Sequence, residues 1–175
     1  MTPTPLIEFS RPLDVTRVPA HGSTERISAD PAECAALAAR FGLPAIHSLA
    51  AELKVSRWRG EGLKIAGRFS ADLDQTCVVS IEAFRSTLSD TFESYFLPGG
   101  GKAGKDDAAI EEGDAEPFDN GVIDMGEAVA EAMALALDPY PKKPGIAFDD
   151  IVEDTDSSQE QNPFAGLSRL KKGKG

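Results

Sequence analysis

The residues of this chain whose types could support covalent chemistry are few, and their spacing argues against it. His21 and His47 are the two histidines; they flank the first predicted helix, and each reads as a solvated loop side chain and not as a general base. Cys34 falls on the apolar stripe of that helix, where a cysteine serves as a small core residue. Cys77 stands at a predicted strand start with no second cysteine nearby, which leaves neither a zinc quartet nor a redox pair, so no metal and no cofactor is expected. The acid pairs Glu111-Glu112 and Asp149-Asp150 lie in segments expected to be flexible, which cannot hold carboxylates to the tolerance of acid/base catalysis. Gly99-Gly100-Gly101-Lys102 lacks both the spacing of a phosphate loop and a helix directly after it. The chain therefore reads as non-catalytic.

A different set of residues points to binding. Leu49, Ala51, Leu53 and Val55 alternate with Glu52, Lys54, Ser56 and Trp58, the period of a half-buried strand. After Gly60-Glu61-Gly62 the alternation resumes, with Leu63, Ile65, Phe69, Ala71 and Leu73 against Lys64, Arg68, Ser70, Asp72 and Asp74, which predicts an antiparallel hairpin. A two-residue loop would mix Trp58 and Lys54 with the core positions. A three-residue loop, Gly60-Glu61-Gly62, pairs Arg59 with Leu63 and Leu53 with Phe69 and keeps the apolar faces together. That register sets Lys54 opposite Arg68 and Trp58 opposite Lys64. Like charges across a ladder cost stability unless an anion relieves them. RNA would supply that anion in its phosphates and an unstacked base for the indole, which makes Lys54, Trp58, Lys64 and Arg68 the candidate RNA-binding surface; the other reading is that Trp58 folds over the strand edge or under the first helix and that Lys54 and Arg68 turn to neighbouring acids such as Glu52 and Asp72.

These side chains need a frame. Asp30, Pro31 and Glu33 form a capping box with proline in the first turn, and Gly42 is a C-terminal stop, so the first helix runs roughly from Pro31 to Phe41. Ile123-Asp124-Met125-Gly126-Glu127 reads as a second capping box before a helix over Ala128 to Leu137, ended by Asp138-Pro139. Its apolar side, Met125, Val129, Ala132, Met133 and Ala136, is expected to pack on the strand face that carries Ile65 and Phe69. Val78 to Ala83, followed by Phe84, Leu88, Phe92 and Phe96 at even spacings, predicts one or two long strands. Nothing alternates as βαβ. The expected class is α+β, with a mainly antiparallel sheet, open or rolled into a partial barrel, and two helices packed on it.

Charge sets the domain limits. The chain has 175 residues, 18 Lys+Arg against 29 Asp+Glu and a formal net charge of −11, which rules out an indiscriminate basic coat on nucleic acid. One domain is expected over residues 1–144, interrupted by a flexible acidic insertion at 99–120 and followed by a disordered tail at 145–175 with a basic C-terminus. Within the tail, Phe164, Leu167 and Leu170 recur at three-residue spacing beside Arg169, Lys171 and Lys172, the pattern of a partner-docking element. No apolar run approaches the roughly 20 residues that cross a bilayer, and the N-terminal sequence has no basic region leading into an apolar one, so the expected compartment is the cytoplasm.

The order of short segments carries a resemblance. Phe9-Ser10-Arg11-Pro12-Leu13, Ile27-Ser28-Ala29-Asp30, Gly67-Arg68-Phe69-Ser70-Ala71-Asp72-Leu73, Cys77 to Glu82, Ile123 to Glu127 and Leu135 to Pro141 follow one another as they do in the YceD family, which the chain resembles over essentially its whole length. The Asn162-Pro163-Phe164-Ala165-Gly166-Leu167 segment is similar to that of its alphaproteobacterial branch. The resemblance implies a non-catalytic role in ribosome biogenesis, with large-subunit ribosomal RNA or a pre-ribosomal particle as partner. Many members of that family carry Cys-x-x-Cys where this chain has Cys77-Val78-Val79-Ser80, and a second cysteine pair where it has Tyr140-Pro141-Lys142-Lys143-Pro144, so zinc binding does not carry over. Two readings follow: a factor that touches ribosomal RNA through the hairpin surface, and a protein-binding adaptor that meets another assembly factor without direct RNA contact.

Overall fold

Asp30 accepts hydrogen bonds from the backbone N–H groups of Ala32 and Glu33, Glu33 returns a bond to the Asp30 N–H, and Gly42 closes the other end in the left-handed region at φ 66°. These caps fix helix α1 at Pro31–Phe41, the limits its sequence predicts. The computed structural model describes residues 7–99 and 115–146. In chain order its elements are β1 (Pro12–Asp14), a turn of 3-10 helix, β2 (Ser23–Ser28), α1, β3 (Ala45–Trp58), β4 (Gly62–Thr76), β5 (Ala83–Pro98), β6 (Glu116–Phe118), β7 (Val122–Asp124) and α2 (Met125–Ala136).

Five strands form one sheet in the order β2-β3-β4-β5-β6, the first four antiparallel and β6 parallel to β5, while β1 and β7 make a separate two-stranded ribbon. The fold is thus α+β with a mainly antiparallel sheet, open at β2 and β6. On one face, Leu49, Ala51, Leu53 and Val55 of β3 and Leu63, Ile65, Phe69, Ala71 and Leu73 of β4 are buried. Helix α1 lies against β3, and α2 against β5 and β4. Cys34 and Leu37 from α1 and Val129 and Met133 from α2 join the same core as Ile65 and Phe69, which is the packing expected of the second helix.

Gly67 sits on this covered face between Leu53 and Phe92. A Cβ there would come 2.5 Å from Leu53 Cδ2 and 2.8 Å from Phe92 Cε1, so a glycine is what lets these two side chains meet over β4.

Four expectations are corrected. The segment from Val78 to Glu82 is a turn and not a strand; β4 runs on to Thr76, and β5 starts at Ala83. Residues 116–118, placed in the flexible insertion, pair with Phe96–Pro98 as β6, and the Gly99 N–H bonds the Phe118 carbonyl at 2.8 Å. Helix α2 begins at Met125, capped by the Asp124 carboxylate, but without a capping box. Glu127 turns instead to Arg40 of α1, which donates to it at 2.9 and 2.6 Å and so ties the two helices together. The hairpin register is also shifted, as set out below. The remainder of the expected insertion, 100–114, and the tail from 147 onward, with Phe164, Leu167, Arg169, Leu170, Lys171 and Lys172, lie outside the described residues.

Candidate nucleic-acid interface

Because both helices cover one face of the sheet, the even-numbered side chains of β3 and β4 stand on the other. Strand alternation puts Lys54, Trp58, Lys64 and Arg68 there together, as the sequence predicts. Their partners differ. The loop is Arg59-Gly60-Glu61, with Arg59 and Gly60 both at positive φ (44° and 74°), and Trp58 pairs with Gly62. Every pair is displaced by two residues from the expected register, a shift that keeps each side chain on its face and changes what it meets. Lys54 faces Ala66, Ser56 faces Lys64, and Glu52 faces Arg68. The direct opposition of Lys54 and Arg68 does not exist, and neither does that of Trp58 and Lys64.

The open face can be read rung by rung. Ser28, Ala50, Ser70 and Ser89 make a rung of small side chains; Arg26, Glu52, Arg68 and Thr91 make the next; then come Thr24, Lys54, Ala66 and Glu93. A groove of about 1220 Å³ runs over these three rungs. Toward the hairpin end, Lys64 lies beside Tyr95. Arg26 is held by Glu52 at 2.9 Å. Lys64 pairs with Glu93 at 2.8 Å, and the Tyr95 hydroxyl donates to the same carboxylate at 2.7 Å. The Lys64 ammonium is accordingly raised above its ordinary pKa by Glu93, and Glu93 is lowered by Lys64 and then Tyr95. Lys54 and Arg68 are exposed, and their side chains make no ion pair or hydrogen bond among the described residues.

Trp58 is half-buried and touches Tyr95, with ring centroids 4.8 Å apart and planes tilted by 56°. The Arg59 guanidinium lies 4.6 Å from the indole and Lys64 Nζ 5.3 Å from the Tyr95 ring, so two cations flank an aromatic pair. The indole is therefore not the bare platform that the sequence suggests. Tyr95, Arg59 and Arg26 were not singled out from sequence. Tyr95 shares the period-two phase of Thr91 and Glu93, which was the available signal.

A second feature lies at the far end of the sheet. Cys77 is fully buried, and its sulfur accepts the N–H groups of Lys143 at 3.4 Å and Ser80 at 3.5 Å, while the Val78 N–H bonds the Pro141 carbonyl at 2.9 Å. The Lys143 amide and the Ser80 groups pull the thiol down to about 6. The fold does bring the 77–80 and 140–144 segments together, but one sulfur facing N–H donors does not make a metal centre. Among the described residues no group of three His, Cys, Asp or Glu is suited to a metal ion. No described helix is long and apolar enough to cross a membrane.

A family model described as large ribosomal RNA subunit accumulation protein YceD matches residues 65–171, from the third residue past the start of β4 through α2 and beyond. No curated protein and no solved structure matches the chain.

Proposed function

The chain belongs to the YceD family of large ribosomal RNA subunit accumulation proteins, and from that premise we propose that it supports large-subunit RNA accumulation as a non-catalytic binding factor, contacting RNA through the open sheet face. The observation that carries the contact is the placement of Lys54 and Arg68, exposed and without an ion pair among the described residues, on the same face as Trp58 and Tyr95. Phosphates favour such cations, and bases favour such rings. The work this implies belongs to the cytoplasm, where a pre-ribosomal particle is the natural partner.

Crosslinking in cells tests the reading. Large-subunit ribosomal RNA should be recovered with the wild-type chain and lost with the Lys54→Glu, Arg68→Glu double variant. The adaptor reading has its own support in the net charge of −11 and in an exposed apolar group at the Cys77 turn, comprising Val78, Ile81 and Tyr140. It requires the same experiment to recover another assembly factor and no RNA. In that case deleting residues 162–175, with Phe164, Leu167, Arg169, Leu170, Lys171 and Lys172, should abolish recovery with pre-ribosomal particles while the body stays folded.

A further inference from the structure

We infer, resting on the reading that the open face contacts RNA, that this face accepts an unpaired, single-stranded segment in preference to a duplex. The charge count decides first. A protein that grips a duplex chiefly by its backbone neutralises roughly 6–10 phosphates. Arg26 is held by Glu52 and Lys64 by Glu93, which leaves Lys54 and Arg68 on the three rungs of the groove, in a chain of net charge −11. Two phosphate contacts supply little of the affinity a duplex site draws from its backbone. The rest must come from groups that a duplex keeps hidden.

The face offers partners for such groups. Thr91 stands beside Arg68 and Thr24 beside Lys54, hydroxyls that serve base edges and ribose alike. Ala50, Ala66 and Ser70 keep the floor low enough for a base to lie on it. Tyr95 and Trp58, with the Arg59 guanidinium against the indole, give a base planes to stack on, whereas paired bases in an A-form helix have their faces occupied by one another. Lys54 and Trp58 are four residues apart on β3, about 13 Å at 3.3 Å per residue. That is the reach of about four stacked nucleotides at 3.4 Å each, the low end of single-strand sites.

Fluorescence anisotropy on the full chain tests this with two probes: a labelled mixed-sequence single-stranded RNA of about 12 nucleotides and the fully paired duplex of the same sequence. The single strand should bind at least about tenfold more tightly. The logarithm of its affinity should fall with the logarithm of salt at a slope of about −1.4, two phosphates at −0.7 each. Tyr95→Ala should weaken it about fivefold or more with the slope unchanged, and Tyr95→Phe, which keeps the ring, should retain binding. Circular dichroism melts of each variant confirm that it is folded. Equal or tighter binding of the duplex, or a slope steeper than about −5, overturns the single-strand preference and leaves the RNA reading standing. Failure of the folded wild-type chain to bind either probe overturns both.

Discussion

Glu52 stands opposite Arg68 across the β3–β4 ladder, yet gives its carboxylate to Arg26, 2.9 Å away on the other side. One acid between two exposed arginines thus pairs with one and leaves the other without an ion pair among the described residues. Glu52→Gln should release Arg26, strengthen RNA binding and steepen the salt slope by about 0.7. Lys54→Glu with Arg68→Glu should do the reverse, removing the slope of about 1.4 units that the two cations supply, while stability falls by no more than about 1 kcal/mol because Arg68→Glu sets an acid opposite Glu52. Binding isotherms at a series of salt concentrations read both. Unaltered binding in the folded double variant would remove this face as the site.

Trp58→Ala separates stacking from charge. Affinity should fall by about 1–3 kcal/mol with no change in salt slope, because stacking releases no counterions. A slope change would mean that the loss of the indole also disturbs a cation that contacts phosphate.

Val129 is fully buried where α2 meets the sheet. Val129→Asp places a carboxylate there without a partner and should cost several kcal/mol, read as a large drop in Tm. An unchanged Tm would refute the packing of α2.

Gly67→Ala tests the close approach of Leu53 and Phe92. The added methyl overlaps both side chains, with an expected loss of about 1–3 kcal/mol in denaturant unfolding. A neutral or stabilising effect would show that the Leu53 and Phe92 side chains have room to move aside over β4.

Cys77 gives a pH dependence. Its folded pKa of about 6 lies below the ordinary 9.0, so the folded state holds the thiolate more readily than the unfolded chain does. The resulting stabilisation is complete above the unfolded value and disappears as pH falls through about 6. Chemical denaturation from pH 5 to 9 should show stability rising more steeply in the wild type than in Cys77→Ala; parallel curves would mean that the amides leave the thiol unperturbed.

Much of this architecture is legible in the residues. The caps of α1 and the alternation of β3 and β4 depend on local chemistry, and that chemistry placed Lys54, Trp58, Lys64 and Arg68 on one face. Alternation cannot see register, because a shift of two keeps every side on its side. What selects the observed register is size: Leu49 meets Ala71, Ala51 meets Phe69, and Leu53 meets Gly67, each a large residue against a small one. Strand β2 was silent because Ile27 is its one large apolar residue, and β6 because three residues among acids carry no period. At Val78 to Ile81 the β-forming residues mislead: Ile81 adopts φ 60° and its N–H bonds the Cys77 carbonyl, closing a turn. Glu127 fits a capping box in sequence and is drawn off by Arg40, 87 residues away.

Helix α2 is the last helix or strand among the described residues, which has a consequence during synthesis. Strands β3 and β4 leave the ribosome early and form a hairpin in about 1–10 μs, but the helix that covers Ile65 and Phe69 comes later. About 60 residues separate Phe69 from Val129, which takes roughly 3–12 s at 5–20 residues per second. For those seconds α1 covers only the β3 side of the apolar face, and the part of β4 and β5 that α2 covers stays bare on the nascent chain until Val129 and Met133 arrive.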